Sequence, residues 1–178
     1  MKHLLLTTIA AVMLVGCGKK APTKKNMQFI GAVQSMDVER AKKILAENKV
    51  NLNVRWFGRD APPIYQAAYR YNAEMTKLLI ENGADLSQRD FQGETALHTA
   101  AFHSPGKGLA VIQLLLNAGA DVNARGKNGG TPLDGATNLK TLYLNQRRHN
   151  QSFTMSLVAD LIRKHGGKTG EELKAEGK

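Results

Sequence analysis

Cysteine occurs once in this 178-residue chain, at Cys17, and aromatic residues make up only 6% of it. One cysteine excludes an intramolecular disulfide and every zinc site that needs two or more thiolates. Acidic residues are scarce: fifteen Asp and Glu stand against twenty-five Lys and Arg, a formal charge of +10. Such a balance favours anionic partners but says nothing about fold. The apolar run Leu4 to Val15 covers twelve residues, and a mature transmembrane helix needs roughly 20. The remaining composition, 42% apolar and 22% charged, argues against disordered, collagen-like and multi-span membrane classes. Length predicts one domain, or two very small ones.

The first residues read as an address. Lys2 and His3 form a basic start, and the apolar run after them has the proportions of a secretory signal peptide. It ends in Leu14-Val15-Gly16-Cys17, which resembles the lipobox of bacterial lipoproteins. That resemblance implies a signal over 1–16, cleavage before Cys17, and acylation of Cys17 as the new N-terminus. Gly18 rather than Asp at the next position implies outer-membrane retention in a cell with two membranes. Each buried acyl methylene contributes about 0.8 kcal/mol, so more than one chain gives lasting attachment. Residues 17–26 carry Lys19, Lys20, Lys24 and Lys25 with no acid. They read as a tether, either a plain solvated spacer or one drawn to anionic headgroups.

The body repeats itself. Pro62-Pro63-Ile64-Tyr65-Gln66-Ala67-Ala68 aligns with Thr95-Ala96-Leu97-His98-Thr99-Ala100-Ala101, 33 residues on, and with Thr131-Pro132-Leu133-Asp134-Gly135-Ala136-Thr137, 36 further. A second signature trails in register: Asn82-Gly83-Ala84-Asp85-Leu86, then Ala118-Gly119-Ala120-Asp121-Val122-Asn123. Weaker copies stand at Asn48 to Asn53 and His165-Gly166-Gly167. These motifs resemble ankyrin repeats, with their period near 33 and T-P-L-H-x-A signature. The resemblance implies an all-α ankyrin-repeat solenoid over 27–168, with repeats at about 27–56, 57–89, 90–125 and 126–168, and a mobile charged tail at 169–178.

The residue types have mechanical reasons to recur. Thr131 suits a helix cap, and Pro132 suits the first helical position, where its missing N–H costs nothing. Gly83 and Gly119 stand where a left-handed residue ends a helix. Asp85 and Asp121 suit the turns that follow. The third repeat carries three extra residues around Ser104 to Gly108, and the fourth carries fourteen around Leu139 to Gln151. The fourteen either prolong the first helix or bulge as a loop.

No catalytic pattern emerges. His98 and His103 lie five apart, on different faces of a helix, and make a poor metal pair. The resemblance assigns His98 to hydrogen bonding between loops. Gly166-Gly167-Lys168-Thr169 lacks the earlier glycine of a phosphate-binding loop, because Ile162 stands there. The chain is expected to be non-enzymatic, to need no cofactor or metal, and to be monomeric.

Ankyrin proteins present loop tips and inner-helix residues on one concave face. By register, the resemblance places Arg59 on one tip, Phe91, Gln92 and Glu94 on the next, and Lys127 and Asn128 on the third. The inner-helix positions are Tyr69 and Arg70, Phe102 and His103, and Asn138 and Leu139. Exposed aromatics and arginine are typical interface anchors, although Phe102 alternatively packs between helices. Arg55, Arg89 and Arg125 each precede a repeat and form a basic row, which either meets an acidic partner surface or is merely solvated. Trp56 either anchors a ligand or shields the seam beside the first repeat.

The expected function is a lipid-anchored module of the bacterial cell envelope that binds another protein, as a scaffold or a stoichiometric inhibitor. The alternative is a basic surface that binds anionic lipid or polymer. Nucleic acid is not expected, because the signal exports the chain.

Overall fold

The computed structural model describes residues 23–47, 50–54, 61–102, 108–146 and 148–178. Among them are nine helices and no strand. The expected signal segment, Cys17, Arg55, Trp56, Arg59 and His103 lie outside the described residues.

The first eight helices alternate between two layers. The inner layer holds α1 (Lys24–Ser35), α3 (Pro63–Tyr69), α5 (Ala96–Phe102) and α7 (Pro132–Asn145). The outer layer holds α2 (Val38–Glu47), α4 (Ala73–Glu81), α6 (Leu109–Asn117) and α8 (His149–Lys164). Each inner helix packs on its own outer helix and on its inner neighbours, and the outer helices stack likewise. This is the expected ankyrin solenoid.

Helical spacing of apolar side chains builds the layers. Ile64, Leu97 and Leu133 occupy equivalent inner positions and are buried; Leu79, Leu115 and Ile162 do the same on the outer helices. Ala67, Ala68, Ala100 and Ala101 are buried between inner helices, where a small side chain permits close approach. One apolar cluster runs from Phe29 to Ile162, so each repeat is held by its neighbours rather than by a core of its own. Complete burial of such a side chain contributes about 1.5–3 kcal/mol.

Local chemistry sets the ends of the helices. The Thr131 hydroxyl accepts from the Asp134 N–H at 3.3 Å, and Asp134 Oδ2 accepts from the Thr131 N–H at 2.8 Å. That reciprocal pair satisfies two donors that the first turn leaves open. Gly83, Gly119 and Gly166 close three of the four outer helices at φ of 82°, 84° and 84°, a region that costs a side-chain-bearing residue more. Asp85 and Asp121 each accept from the backbone N–H two residues on, at 2.9 and 3.0 Å. Turn formation accounts for these carboxylates.

Two features depart from the expected layout at the chain's edges. Thr23 caps a helix that already starts at Lys24, inside the expected tether. At the other end, residues 169–178 are not a free tail, since they form α9 (Gly170–Ala175). Thr169 and Glu172 make a second reciprocal cap, and Leu173 is 5% exposed. The Gly170 N–H donates to Asp134 Oδ2 at 2.8 Å, and the Gly170 carbonyl accepts from Arg125 Nη2 at 3.0 Å. Hydrogen bonds thus tie the segment to the loop and first turn of the last repeat.

The fourteen-residue surplus is shared between two helices. Relative to the second repeat, the inner helix lengthens from 7 to 14 residues and the outer helix from 9 to 16. Each gain is about two turns. The last repeat therefore extends as a helical hairpin, which exposes Leu142, Leu144 and Phe153.

Candidate partner-binding groove

Loop tips precede the inner helices of the third and fourth repeats. In the first, Asp90 Oδ1 accepts from the Gln92 and Glu94 N–H groups, both at 2.9 Å, while the Asp90 N–H donates to the Glu94 carbonyl at 2.9 Å. In the second, the Gly126 N–H donates to the Gly130 carbonyl at 2.9 Å. Gly93 and Gly129 turn both tips at φ of 74°. The Lys127 N–H donates to the Gln92 carbonyl at 3.2 Å, which ties one tip to the next.

His98 holds the tips to the helices. Its Nδ1 accepts from the Thr95 N–H at 3.2 Å, so Nε2 carries the proton and faces the Gly130 carbonyl at 3.3 Å. Burial pushes the imidazole below its usual pKa, an effect the nearby Arg89 charge reinforces and the Gly130 hydrogen bond opposes. The neutral ring is thus part of the scaffold, as the resemblance implied.

Between these tips and the ends of α5 and α7 lies a cavity of about 510 Å³. Phe91, Glu94, Phe102, Lys127, Asp134 and Asn138 are among the side chains that line it. Phe91 is 56% and Phe102 42% exposed, large values for aromatic rings. Phe102 also packs on Gly135, where an added Cβ would meet its Cδ2 at 3.2 Å. The two roles open for Phe102 are therefore combined: it packs against Gly135 and also lines the groove. Glu94 is half-buried, and burial followed by repulsion from Asp90 raises its pKa.

Of the residues singled out from sequence, Phe91, Gln92, Phe102, Lys127 and Asn128 converge on this cavity. Tyr69 and Arg70, at the end of α3, are not in its lining. Tyr69 is half-buried and Arg70 exposed. The basic row has a structural use within the stack. Arg89 Nη1 donates at 2.6 Å to both the Gly93 and Arg125 carbonyls, and Arg125 donates to Gly170. Lys127 Nζ likewise donates to the Phe91 carbonyl. The lining residues Thr131, Asp134 and Gly135 were not anticipated; only the repeat register, carried into the first turn of α7, pointed to them. Among the described residues, no three His, Cys, Asp or Glu side chains gather to hold a metal, and no helix is long and apolar enough to cross a membrane.

A family model of ankyrin repeats in three copies matches residues 29–137. The mouse ankyrin repeat and SOCS box protein 6 is 35% identical over 98 residues, covering 55% of this chain and 23% of that protein. Mouse protein phosphatase 1 regulatory subunit 27 is 33% identical over 107 residues, covering 60% of this chain and 66% of that one. A putative ankyrin repeat protein of fowlpox virus is 41% identical over 69 residues, covering 39% and 13% respectively. The chain spans under a quarter of the length of the SOCS box relative. With the family model spanning more than half of the chain, and with inner and outer helices stacked in register behind recurring loop tips, the chain belongs to the ankyrin-repeat family.

Proposed function

We propose that the protein is a lipid-anchored module of the bacterial cell envelope that captures another protein in the groove between its third and fourth repeats. The observation that carries the binding reading is the pair of exposed rings, Phe91 and Phe102, on the wall of one cavity. Exposed aromatic side chains cost solvation while they wait for a partner, and they are the residue type that anchors interfaces. The relative named as a phosphatase regulatory subunit supports a regulatory role through binding. The address rests on Leu14-Val15-Gly16-Cys17, with acylation at Cys17 and, in a cell with two membranes, retention at the outer one. In that setting the module acts as a scaffold or as a stoichiometric inhibitor of an envelope enzyme or toxin.

Two experiments test the reading. The protein is coupled to beads and exposed to detergent-solubilised envelope extract at low and near-physiological salt. One protein retained at both salts, and lost with Phe91→Ala and Phe102→Ala together, supports groove capture. Heterogeneous material that washes off with salt points instead to a basic surface binding anionic lipid or polymer. For the anchor, cells expressing the chain are fed an alkyne-tagged fatty acid. Incorporation that disappears in Cys17→Ala supports the lipidated address, and equal labelling of both refutes it.

A further inference from the structure

We infer that the groove receives a cationic side chain, arginine or lysine, seated between Phe91 and Phe102 with its charge against the Glu94 carboxylate. This rests on the partner-binding reading and names the chemistry of the residue that enters. The argument begins with charge. The whole chain is at +10, yet among the described residues two carboxylates, Glu94 and Asp134, line this cavity against one ammonium, Lys127. A basic molecule thus has an acidic depression between its third and fourth repeats.

The two carboxylates differ in what they have left to offer. Asp134 Oδ2 already accepts from the Thr131 N–H and hydroxyl and from the Gly170 N–H. Glu94 accepts no hydrogen bond and joins no ion pair among the described residues. It is half-buried, so among the described residues it has given up water without gaining a cation. Two described cations close by are engaged elsewhere, Lys127 at the Phe91 carbonyl and Arg89 at the carbonyls of Gly93 and Arg125. A guest ammonium or guanidinium would supply the missing counter-charge.

The rings point the same way. The face of an aromatic ring is electronegative and attracts a cation, arginine most often. An anion in the same place would meet both carboxylates beside two aromatic rings, with Lys127 the one described cation in the lining to offset them. The cavity is also larger than one side chain needs, which leaves space for the residues of the partner that flank the cation.

The test uses the 15N-labelled full chain and three small probes: N-acetyl-arginine methylamide, its norleucine counterpart, and its glutamate counterpart. The arginine probe is expected to shift the amides of Gly93, Glu94, Phe102 and Gly135 saturably, roughly tenfold more tightly than norleucine. Glu94→Gln is expected to weaken it by about tenfold, and Phe91→Ala, at an exposed ring, to weaken it through loss of one wall. Asp160→Asn, at a remote exposed carboxylate, serves as the control and is expected to leave it unchanged. Equal binding of arginine and norleucine, preference for glutamate, or an arginine affinity unmoved by Glu94→Gln overturns the proposal. Bead capture that persists while the arginine probe fails to bind removes the cation and leaves partner binding standing. Loss of capture while the probe still binds does the reverse.

Discussion

Replacing Gly170 with alanine separates local helix propensity from packing by the sign of its effect. Gly170 is the first residue of α9, and alanine is the better helix former by up to about 1 kcal/mol in a helix interior, less in a first turn. If α9 were a detached helix, Gly170→Ala would be neutral or stabilising. In the folded protein, a Cβ at that position meets the Gly129 carbonyl oxygen at 2.6 Å and Asp134 Oδ2 at 3.3 Å. The first contact is with backbone, so relief requires α9 itself to move. Movement strains the Gly170 N–H bond to Asp134, 2.8 Å, and the Arg125 bond to the Gly170 carbonyl, 3.0 Å. Overpacking of this kind costs about 1–3 kcal/mol, so the net is a destabilisation of about 1–2 kcal/mol. For a domain of this size that lowers the midpoint of thermal unfolding by roughly 3–6 °C, which circular dichroism or calorimetry resolves easily. Leu173→Ala is the companion measurement, expected to cost about 2 kcal/mol, the low end for a buried leucine because the site lies at the edge of the stack. An unchanged or raised midpoint in both variants would refute the docking of α9 and restore a free tail.

The other predictions concern charge and caps. His98 has a depressed pKa in the fold, so the unfolded chain binds the proton more tightly; stability is complete above the unfolded value near 6.5 and is lost as pH falls below it. Urea midpoints measured from pH 7.5 down to 5 should fall, and His98→Gln should flatten that slope. Glu94 has the opposite sign: its pKa is raised, so the folded state prefers the neutral acid and loses stability as pH rises through the carboxylate range. Glu94→Gln should therefore raise the urea midpoint at pH 7 while weakening the arginine probe, whereas a lower midpoint would show that Glu94 serves the fold. Asp134→Ala should cost about 2 kcal/mol or more in the same assay, because three donors lose a charged acceptor.

The repeat was legible because two motifs recur in register and each has a backbone requirement behind it. Gly83 and Gly119 do adopt positive φ, and Thr131 does cap α7. The C-terminal helix was missed because Thr169-Gly170-Glu171-Glu172 has neither the proline nor the leucine of the signature, and its only buried apolar side chain is Leu173. A signal was present nonetheless: threonine followed three residues later by glutamate is a cap pair. The size of the last insertion was legible and its equal division was not, since helical residues on both sides of a turn can absorb extra length. The arginine row shows a different limit. Register places the backbone of Arg89 and Arg125, but a long side chain reaches either solvent or a neighbour's carbonyl, and here the carbonyls receive both.

The opposition between a basic molecule and an acidic groove has a consequence for salt. A cationic probe approaches against the field of a chain at +10, and that long-range repulsion decays over a Debye length of about 8–10 Å near physiological ionic strength. Added salt therefore weakens the repulsion first. The contact with half-buried Glu94 is screened less, because water and ions reach it from one side only. Between about 20 and 150 mM salt the arginine probe's affinity should change by less than about twofold, or tighten. A polyanion held on the basic surface would instead lose affinity by orders of magnitude as its counterions return. A steep loss of arginine binding with salt would mean that the probe is held by exposed carboxylates spread over the surface, and the groove would then lose its claim to the cation.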